Sequence, residues 1–369
     1  MYYKELGNTG KKVSAVSFGA MRFLPEDYKD GPQKCADIVL RAQELGVNLF
    51  DTAPGYCDDV SEDVLGHAFK QMKNRPYVST KCGFRQAKTA AEAYVAVQKS
   101  IERLHVDKIT FYHMWCLRTS ADYQKMIAPG GIYEGILRAK QDGLIEHICC
   151  SVHLEGEGVK QIVADGLVEA VILGYNALNF AFRRAGVKAC HDAGLGVITM
   201  NPLGGGLIPR TGDAFSFLKQ TPDESVVHAA LRFLLGQKEV SCVLPGPSSI
   251  AELEECLAAA DRAYTFDESF LKAHAEQLKT ELNSLCTSCG YCDECPVGIP
   301  IVKFLSTYNY YLLDGDLADL SPLIRANWEI APSVAAKCTR CGLCESLCTQ
   351  KLPIIQRLAE IGALPQAAK

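Results

Sequence analysis

No stretch of this 369-residue sequence carries the roughly 18 consecutive apolar residues that a membrane-crossing helix requires. Positive charge is also scarce relative to negative, with 38 Lys and Arg against 43 Asp and Glu and a net charge of -5. That balance excludes a dominant nucleic-acid role, because binding phosphate backbones needs clustered positive charge. Met1 leads straight into a polar, strand-like segment with no secretory leader, so the expected setting is a soluble, cytoplasmic protein. No flavin-binding motif is visible either. Hydrophobic residues make up 48%, ordinary for a globular chain of this length, which can hold one large domain and one small one.

Cysteine is what the sequence has in excess. Eight of its 17 cysteines fall in two tight runs, Cys286-x2-Cys289-x2-Cys292-x2-Cys295-Pro296 and Cys338-x2-Cys341-x2-Cys344-x3-Cys348. Three thiolates at two-residue spacing can grip one corner of an iron-sulfur cluster, with a fourth supplied from elsewhere. The second run has the bacterial ferredoxin spacing except that Thr349 stands where proline usually follows; the first keeps Pro296 but shortens the last gap. In two-cluster ferredoxins the fourth cysteine of each run ligates the other cluster. The expected ligand sets of two 4Fe-4S clusters are therefore Cys286, Cys289, Cys292 and Cys348, and Cys338, Cys341, Cys344 and Cys295. Structural zinc and disulfides are the competing readings. Zinc takes four ligands and leaves half of each run unexplained, and disulfides suit a chain with nine further scattered cysteines poorly. Those nine, Cys35, Cys57, Cys82, Cys116, Cys149, Cys150, Cys190, Cys242 and Cys256, lie mostly in apolar segments and read as small buried hydrophobes in a reducing, low-oxygen cytoplasm.

From Val13 to about Ala260, short runs rich in Val, Ile and Phe alternate with helix-like segments. This is the pattern of repeated strand-helix units and a parallel sheet. The strand candidates are Ala15-Phe18, Asn48-Phe50, Tyr77-Ser79, Ile109-Tyr112, His147-Ser151, Ala170-Leu173, Gly196-Thr199 and Cys242-Leu244, and eight such units predict a closed (β/α)8 TIM barrel. Before it, Met1 to Val13 reads as a hairpin around Gly7 to Gly10 that caps the barrel floor. Asp267 to Asn283 reads as one more helix leading into the first cysteine run, and Ile301 to Leu313 and Leu317 to Trp328 as helices between the runs. The expected organisation is an α/β chain with the barrel over residues 1–275 and a small α-helical, ferredoxin-like iron-sulfur domain over residues 276–369.

Active sites of such barrels lie at the C-terminal strand ends. Asp51 ends the second strand, Tyr56 follows it, Lys81 ends the third and His113 the fourth. A phenol of pKa about 10 is a poor acid at neutral pH, but a nearby ammonium lowers that value. Lys81, held charged by Asp51, is expected to do this for Tyr56, which then donates a proton to a carbonyl oxygen as hydride reaches the carbon, with His113 as a second donor.

The segments Asn48-Leu-Phe-Asp-Thr-Ala-Pro-Gly-Tyr56, Ser61-Glu-Asp-Val-Leu-Gly66, Val78-Ser-Thr-Lys81, Phe111-Tyr-His113 and Val243-Leu-Pro-Gly-Pro-Ser-Ser resemble the aldo-keto reductase family over residues 1 to about 260. The whole chain resembles its subgroup with a C-terminal ferredoxin-like domain. The resemblance implies that Asp51, Tyr56, Lys81 and His113 form the catalytic tetrad, with Tyr56 as general acid. It also implies NADPH or NADH extended across the barrel top: Ser151 and Asn176 near the nicotinamide, Pro202, Leu203, Gly204 and Gly206 along the pyrophosphate, and Gly246, Ser248 and Glu252 by the adenosine half. Close approach at Gly204-Gly-Gly and amide donors from a helix starting near Ser248 agree with that placement. The sequence departs from the family at His153, often asparagine there, at Ile172 for a glutamine, at Met200 for an aromatic residue and at Cys256 for an asparagine.

The expected activity is an NAD(P)H-linked oxidoreductase acting on a small-molecule carbonyl or alcohol. A nicotinamide moves electrons in pairs and each cluster moves one, so direct coupling needs a converter such as a flavin or a substrate radical, or an external ferredoxin or flavoprotein as electron partner. Two alternatives stand beside it: a redox sensor or electron-transfer partner that binds nicotinamide without turnover, and a reductase whose tail is a zinc-bound interaction module.

Overall fold

The computed structural model describes residues 1–154, 156–210, 212–277, 284–313 and 315–365. Two antiparallel strands, β1 (Tyr3–Glu5) and β2 (Lys12–Ser14), form the expected N-terminal hairpin. Eight parallel strands follow in sequence order: β3 (Phe18–Gly19), β4 (Leu49–Asp51), β5 (Tyr77–Cys82), β6 (Ile109–Leu117), β7 (Ile145–Val152), β8 (Ala170–Gly174), β9 (Gly196–Met200) and β10 (Cys242–Leu244). The sheet closes on itself through a parallel bridge between Val16 and Val243. Backbone bonds from Ser17 N to Val243 O and from Gly19 N to Pro245 O, both 2.9 Å, hold that closure.

All five residues of β8 and the whole of β4 and β10 are buried. Strands covered on both faces need continuous apolar runs rather than alternation, which is why these segments are rich in Val, Ile and Leu. The helices outside carry their own stop signals. Ala90–Leu104 is opened by Thr89, whose hydroxyl accepts from Glu92 N, and closed by His105 in a left-handed conformation. The hairpin does cap the floor: Leu6 is fully buried among Phe111, Cys149, Ala170 and Ile198, and Asn8 N donates to Gly194 O, just before β9.

An ion cluster sits between the lower ends of β7 and β8. Glu169 accepts from His147 Nδ1 at 2.7 Å and pairs with Lys140 Nζ at 2.5 Å. Burial opposes ionisation of Glu169, but its contacts with His147 and the Lys140 ammonium outweigh it and hold the carboxyl at about 2 against an ordinary 4.5. A carboxyl held below its unfolded value contributes stability above about pH 4.5 that is lost as pH falls towards 2. Glu169→Gln is therefore expected to flatten the chain's stability profile between pH 5 and 2, read by chemical denaturation at several pH values.

The residues divide into two compact units. The first, Met1–Asn176, Phe182–Pro202 and Val227–Asp267, contains the barrel. The second is Glu268–Lys369 together with Ala177–Ala181 and Leu203–Val226. It therefore begins slightly before residue 275 and recruits two segments that the sequence reading assigned to the barrel. Among its described residues the helices are Leu207–Arg210, Glu268–Gln277, Ile301–Leu313, Leu320–Trp328, Leu343–Leu347 and Ile354–Gly362; residues 278–283 of the helix expected to reach Asn283 lie outside the described residues. Phe304, Leu305, Leu320, Ile324, Ile354, Leu358 and Ile361 form its core, into which Cys286, Cys292, Cys344 and Cys348 are packed. Among the described residues no helix is long and apolar enough to cross a membrane.

Candidate active site and metal centre

Register brings the tetrad together. Asp51 pairs with Ser79 across β4 and β5, and Lys81 with His113 across β5 and β6, so these side chains come from adjacent strands at one level. Lys81 Nζ donates to both Asp51 oxygens at 2.6 and 2.8 Å and to Thr52 O at 2.6 Å, with only 1% of its side chain exposed. Burial depresses the ammonium's pKa, and the Asp51 carboxylate acts against that. Lost alone, Asp51 would leave a buried ammonium unpaired, a situation that costs about 3–5 kcal/mol.

Tyr56 is placed by an unusual turn. Gly55 N donates to Asp59 Oδ1 at 2.7 Å, and Cys57, Asp58 and Asp59 follow Tyr56 at φ of 53°, 52° and 68°, a left-handed run that turns the chain into the helix Ser61–Gln71. The ring packs edge-on to Trp115, with centroids 5.7 Å apart, and Lys81 Nζ lies 5.3 Å from its centroid. The expectation that Lys81 lowers the Tyr56 pKa is not met in this state. Burial comes first, followed by the Asp51 carboxylate and Cys116, and together they push the phenol well above 10; Arg22 acts in the opposite direction. Tyr56 is thus held as a proton donor.

His113 is fully buried and held neutral, its pKa well below 6.5 through burial first and Lys81 second. Ser79 Oγ donates to Asp51 Oδ1 at 2.5 Å, which uses its only proton, so the 2.9 Å contact to His113 Nε2 requires the imidazole to donate there. The sequence reading missed Ser79, although it sits two residues before Lys81 on the same face of β5. Ser79→Ala would free the imidazole proton and the carboxylate oxygen together. We expect a loss in kcat of roughly tenfold or less, the net worth of one hydrogen bond, with KM little changed in steady-state kinetics.

Ser151, near the end of β7, is 1% exposed, and its hydroxyl has no hydrogen-bond partner among the described residues. A buried unsatisfied hydroxyl needs an explanation, and a carboxamide arriving at the barrel mouth supplies one. Asn176, just beyond β8, is also buried and donates to Asn201 O at 2.9 Å. His153 is buried too, its pKa lowered to about 3 by burial and by Arg183 and Arg118. At the other candidate nucleotide positions the donors are already engaged. Ser248 donates through both N and Oγ to Glu252 Oε2, at 2.8 and 2.9 Å, and Ser249 rather than Ser248 caps the helix Ile250–Ala258. Gly246 lies under the Arg22 stem: a Cβ there would stand 3.0 Å from Arg22 Cγ.

Pro202 is buried, and Leu203 leads into the tight turn Gly204–Gly206, onto which Arg210 Nε closes by donating to Gly206 O at 3.0 Å. The closest approach made by this turn is not to an open groove. Gly205 has φ +70°, and a Cβ on it would come 2.2 Å from the backbone oxygen of Thr287, inside the first cysteine run.

All 17 cysteines are free thiols. Within the second unit Cys286, Cys289, Cys292 and Cys348 lie close enough that their charges act on one another, and so do Cys338, Cys341 and Cys344. The structure thus brings together Cys286, Cys289, Cys292 and Cys348, and Cys295 and Cys338 pack against the same core. Burial, with neighbouring cysteines adding to it, pushes the Cys286 thiol up to about 12 and Cys344 to about 11. Thiolates gathered in such a pocket need metal charge beside them. Donors are in place for them: Ser288 N points to Cys286 Sγ and Leu352 N to Cys348 Sγ, each at 3.4 Å. Buried Asn309 fixes the backbone at Cys286 from both sides, accepting from its N at 2.8 Å and donating to its O at 2.7 Å. Among the described residues no three His, Cys, Asp or Glu close on a single ion. The donor set fits a 4Fe-4S cluster, whose cubane holds its ligands apart.

Comparison with known proteins agrees with both halves. The model of the Aldo/keto reductase family matches residues 15–276, and that of a 4Fe-4S dicluster domain matches residues 285–353. L-galactose dehydrogenase of Arabidopsis thaliana is 32% identical over 284 residues, 69% of this chain and 87% of that protein. Pyridoxine 4-dehydrogenase of Escherichia coli is 26% identical over 68% of this chain and 90% of its own length. Two solved structures share the fold: an aldo-keto reductase from Bacillus halodurans in its holo form (TM-score 0.64, 23% identity, 76% of this chain and 97% of that one), and one from Klebsiella pneumoniae in complex with NADPH (TM-score 0.62, 18% identity, 75% and 95%).

Proposed function

Since the chain belongs to the aldo-keto reductase family and carries a C-terminal 4Fe-4S dicluster domain, we propose that it is an NAD(P)H-linked oxidoreductase. It reduces a small-molecule carbonyl, or in reverse oxidises the alcohol, in the barrel, and exchanges electrons through two 4Fe-4S clusters. The observation that carries the reading is the buried Asp51–Lys81 pair set against Tyr56, with His113 tied to the same carboxylate through Ser79.

A bound nicotinamide supplies the hydride. Tyr56 gives its phenolic proton to the carbonyl oxygen as negative charge develops there, a role that its raised pKa favours over proton abstraction. Lys81 stabilises the phenolate left behind, and Asp51 holds the ammonium in place. Neutral His113 orients the oxygen without placing a second cation beside Lys81. The buried Ser151 hydroxyl and the Asn176 amide orient the carboxamide of the ring, and the turn from Pro202 through Leu203, Gly204 and Gly206, together with Gly246, Ser248 and Glu252, takes the remainder of the nucleotide. Cys286, Cys289, Cys292 and Cys348 hold one cluster, and Cys338, Cys341, Cys344 and Cys295 the other. Bound clusters supply one-electron transfer, and the exposure of Cys341 makes the second set the one open to an external carrier.

The deciding experiment uses anaerobically purified holoprotein. Iron and sulfide are measured per chain, about eight of each being expected for two cubanes, and NADPH and NADH oxidation is followed against a panel of aldehydes and ketones. Oxidation by neither nucleotide with any carbonyl would sink the catalytic reading. Zinc without iron would sink the cluster reading separately.

A further inference from the structure

Thr349 stands where the ferredoxin spacing has proline, and its side chain turns back to the other cysteine run. Thr349 is 5% exposed, and its Oγ1 lies 3.5 Å from Cys289 Sγ. The next residue, Gln350, is also buried and donates from Nε2 to Thr349 Oγ1 at 3.4 Å. A cysteine that ligates a cluster is a thiolate with no proton of its own, so at this contact the threonine hydroxyl is the donor. We propose that Thr349 donates a hydrogen bond to the Cys289 thiolate and raises the reduction potential of the cluster held by Cys286, Cys289, Cys292 and Cys348. The proposal rests on the reading of those four cysteines as cluster ligands.

Reduction adds one electron, and part of the added charge resides on the ligand sulfurs. A donor hydrogen bond strengthens as that charge grows, so it stabilises the reduced form more than the oxidised one. Proline at this position would have neither hydroxyl nor amide proton. The effect is confined to one site, because among the described residues no side-chain hydroxyl is bonded to Cys338, Cys341 or Cys344; Cys344 receives a backbone amide, that of Glu345. The two clusters receive different environments from a single residue that lies in the second run and touches the first.

Valine is nearly isosteric with threonine and removes only the hydroxyl, whereas serine keeps it. Potentials of both clusters would be measured by EPR-monitored redox titration of anaerobic wild-type, Thr349→Val and Thr349→Ser holoprotein, each checked for iron content. The Val variant is expected to shift the reduction equilibrium of one cluster by roughly tenfold towards the oxidised form, about 59 mV for one electron, with the other cluster unmoved and the Ser variant at the wild-type value. If Thr349→Val does not retain iron, Thr349→Ala gives the same comparison. Unchanged potentials in the Val or Ala variant, or equal shifts in the Ser variant, would overturn the proposal. Absence of iron from the wild-type protein would instead remove the cluster reading beneath it.

Discussion

Tyr56→Phe is expected to lower carbonyl turnover by about 10²- to 10⁴-fold, the range over which a positioned general acid contributes, while nucleotide affinity stays close to wild type. The phenol has no hydrogen-bonding partner among the described residues, and its ring lies against the Lys81 ammonium and Trp115. Removing its oxygen therefore leaves the ring packing and the Asp51–Lys81 pair intact. The loss should appear in kcat and in kcat/KM alike, as expected for an interaction made only in the transition state. Fluorescence titration of NADPH and NADH against the variant would separate this from a binding defect. A variant that kept more than about a tenth of wild-type turnover would remove Tyr56 from its role, since no neutral ring can deliver that proton. The same substitution separates the enzyme from a non-turnover sensor, whose nucleotide-dependent behaviour would survive it.

Much of this site was legible in the sequence because parallel barrels repeat one local rule. Asp51 ends β4 and Lys81 lies one residue from the end of β5, so both are found by counting along apolar runs; His113 does not end its strand as expected, since β6 runs on to Leu117, and it is register with Lys81 that places it. Ser79 lies inside β5, on the same face as Lys81, and a serine in a strand interior announces nothing about its partners. Arg22 was illegible for a different reason. It sits in the loop after β3, and only closure of the barrel between residues 15–19 and 243–245 brings it over Gly246 and near enough to Tyr56 to act on its charge. The helix expected to start near Ser248 does so, capped by Ser249, which stands three residues before Glu252. The cysteine runs announce themselves differently, because the chemistry of a cluster imposes a spacing that local propensity does not, and the residues they span match a 4Fe-4S dicluster domain.

The glycine turn is where a local rule and a long-range contact compete, and Gly205→Ala decides between them. Glycines after a barrel strand read as room for a phosphate, the reading proposed for Gly204 and Gly206. At Gly205, however, the added methyl would meet the Thr287 carbonyl at 2.2 Å, backbone against backbone, at a φ of +70° that alanine adopts reluctantly. The left-handed conformation alone costs about 1–2 kcal/mol, and overpacking adds about 1–3 kcal/mol. Neither the turn nor the Cys286–Cys289 loop can absorb it cheaply, because Asn309 clamps the backbone at Cys286 on both sides. Strain is thus delivered to the two residues between Cys286 and Cys289, and the expected outcome is loss of about half the iron, with the signal of the cluster held by Cys338, Cys341, Cys344 and Cys295 retained. Iron analysis and EPR of the anaerobic variant read this directly. If Gly205 served only to admit a phosphate, the variant would keep its full iron complement and show a raised KM for the nucleotide instead. A turn that sequence places on the nucleotide would then owe its middle glycine to the nucleotide after all, and the approach to Thr287 would be incidental.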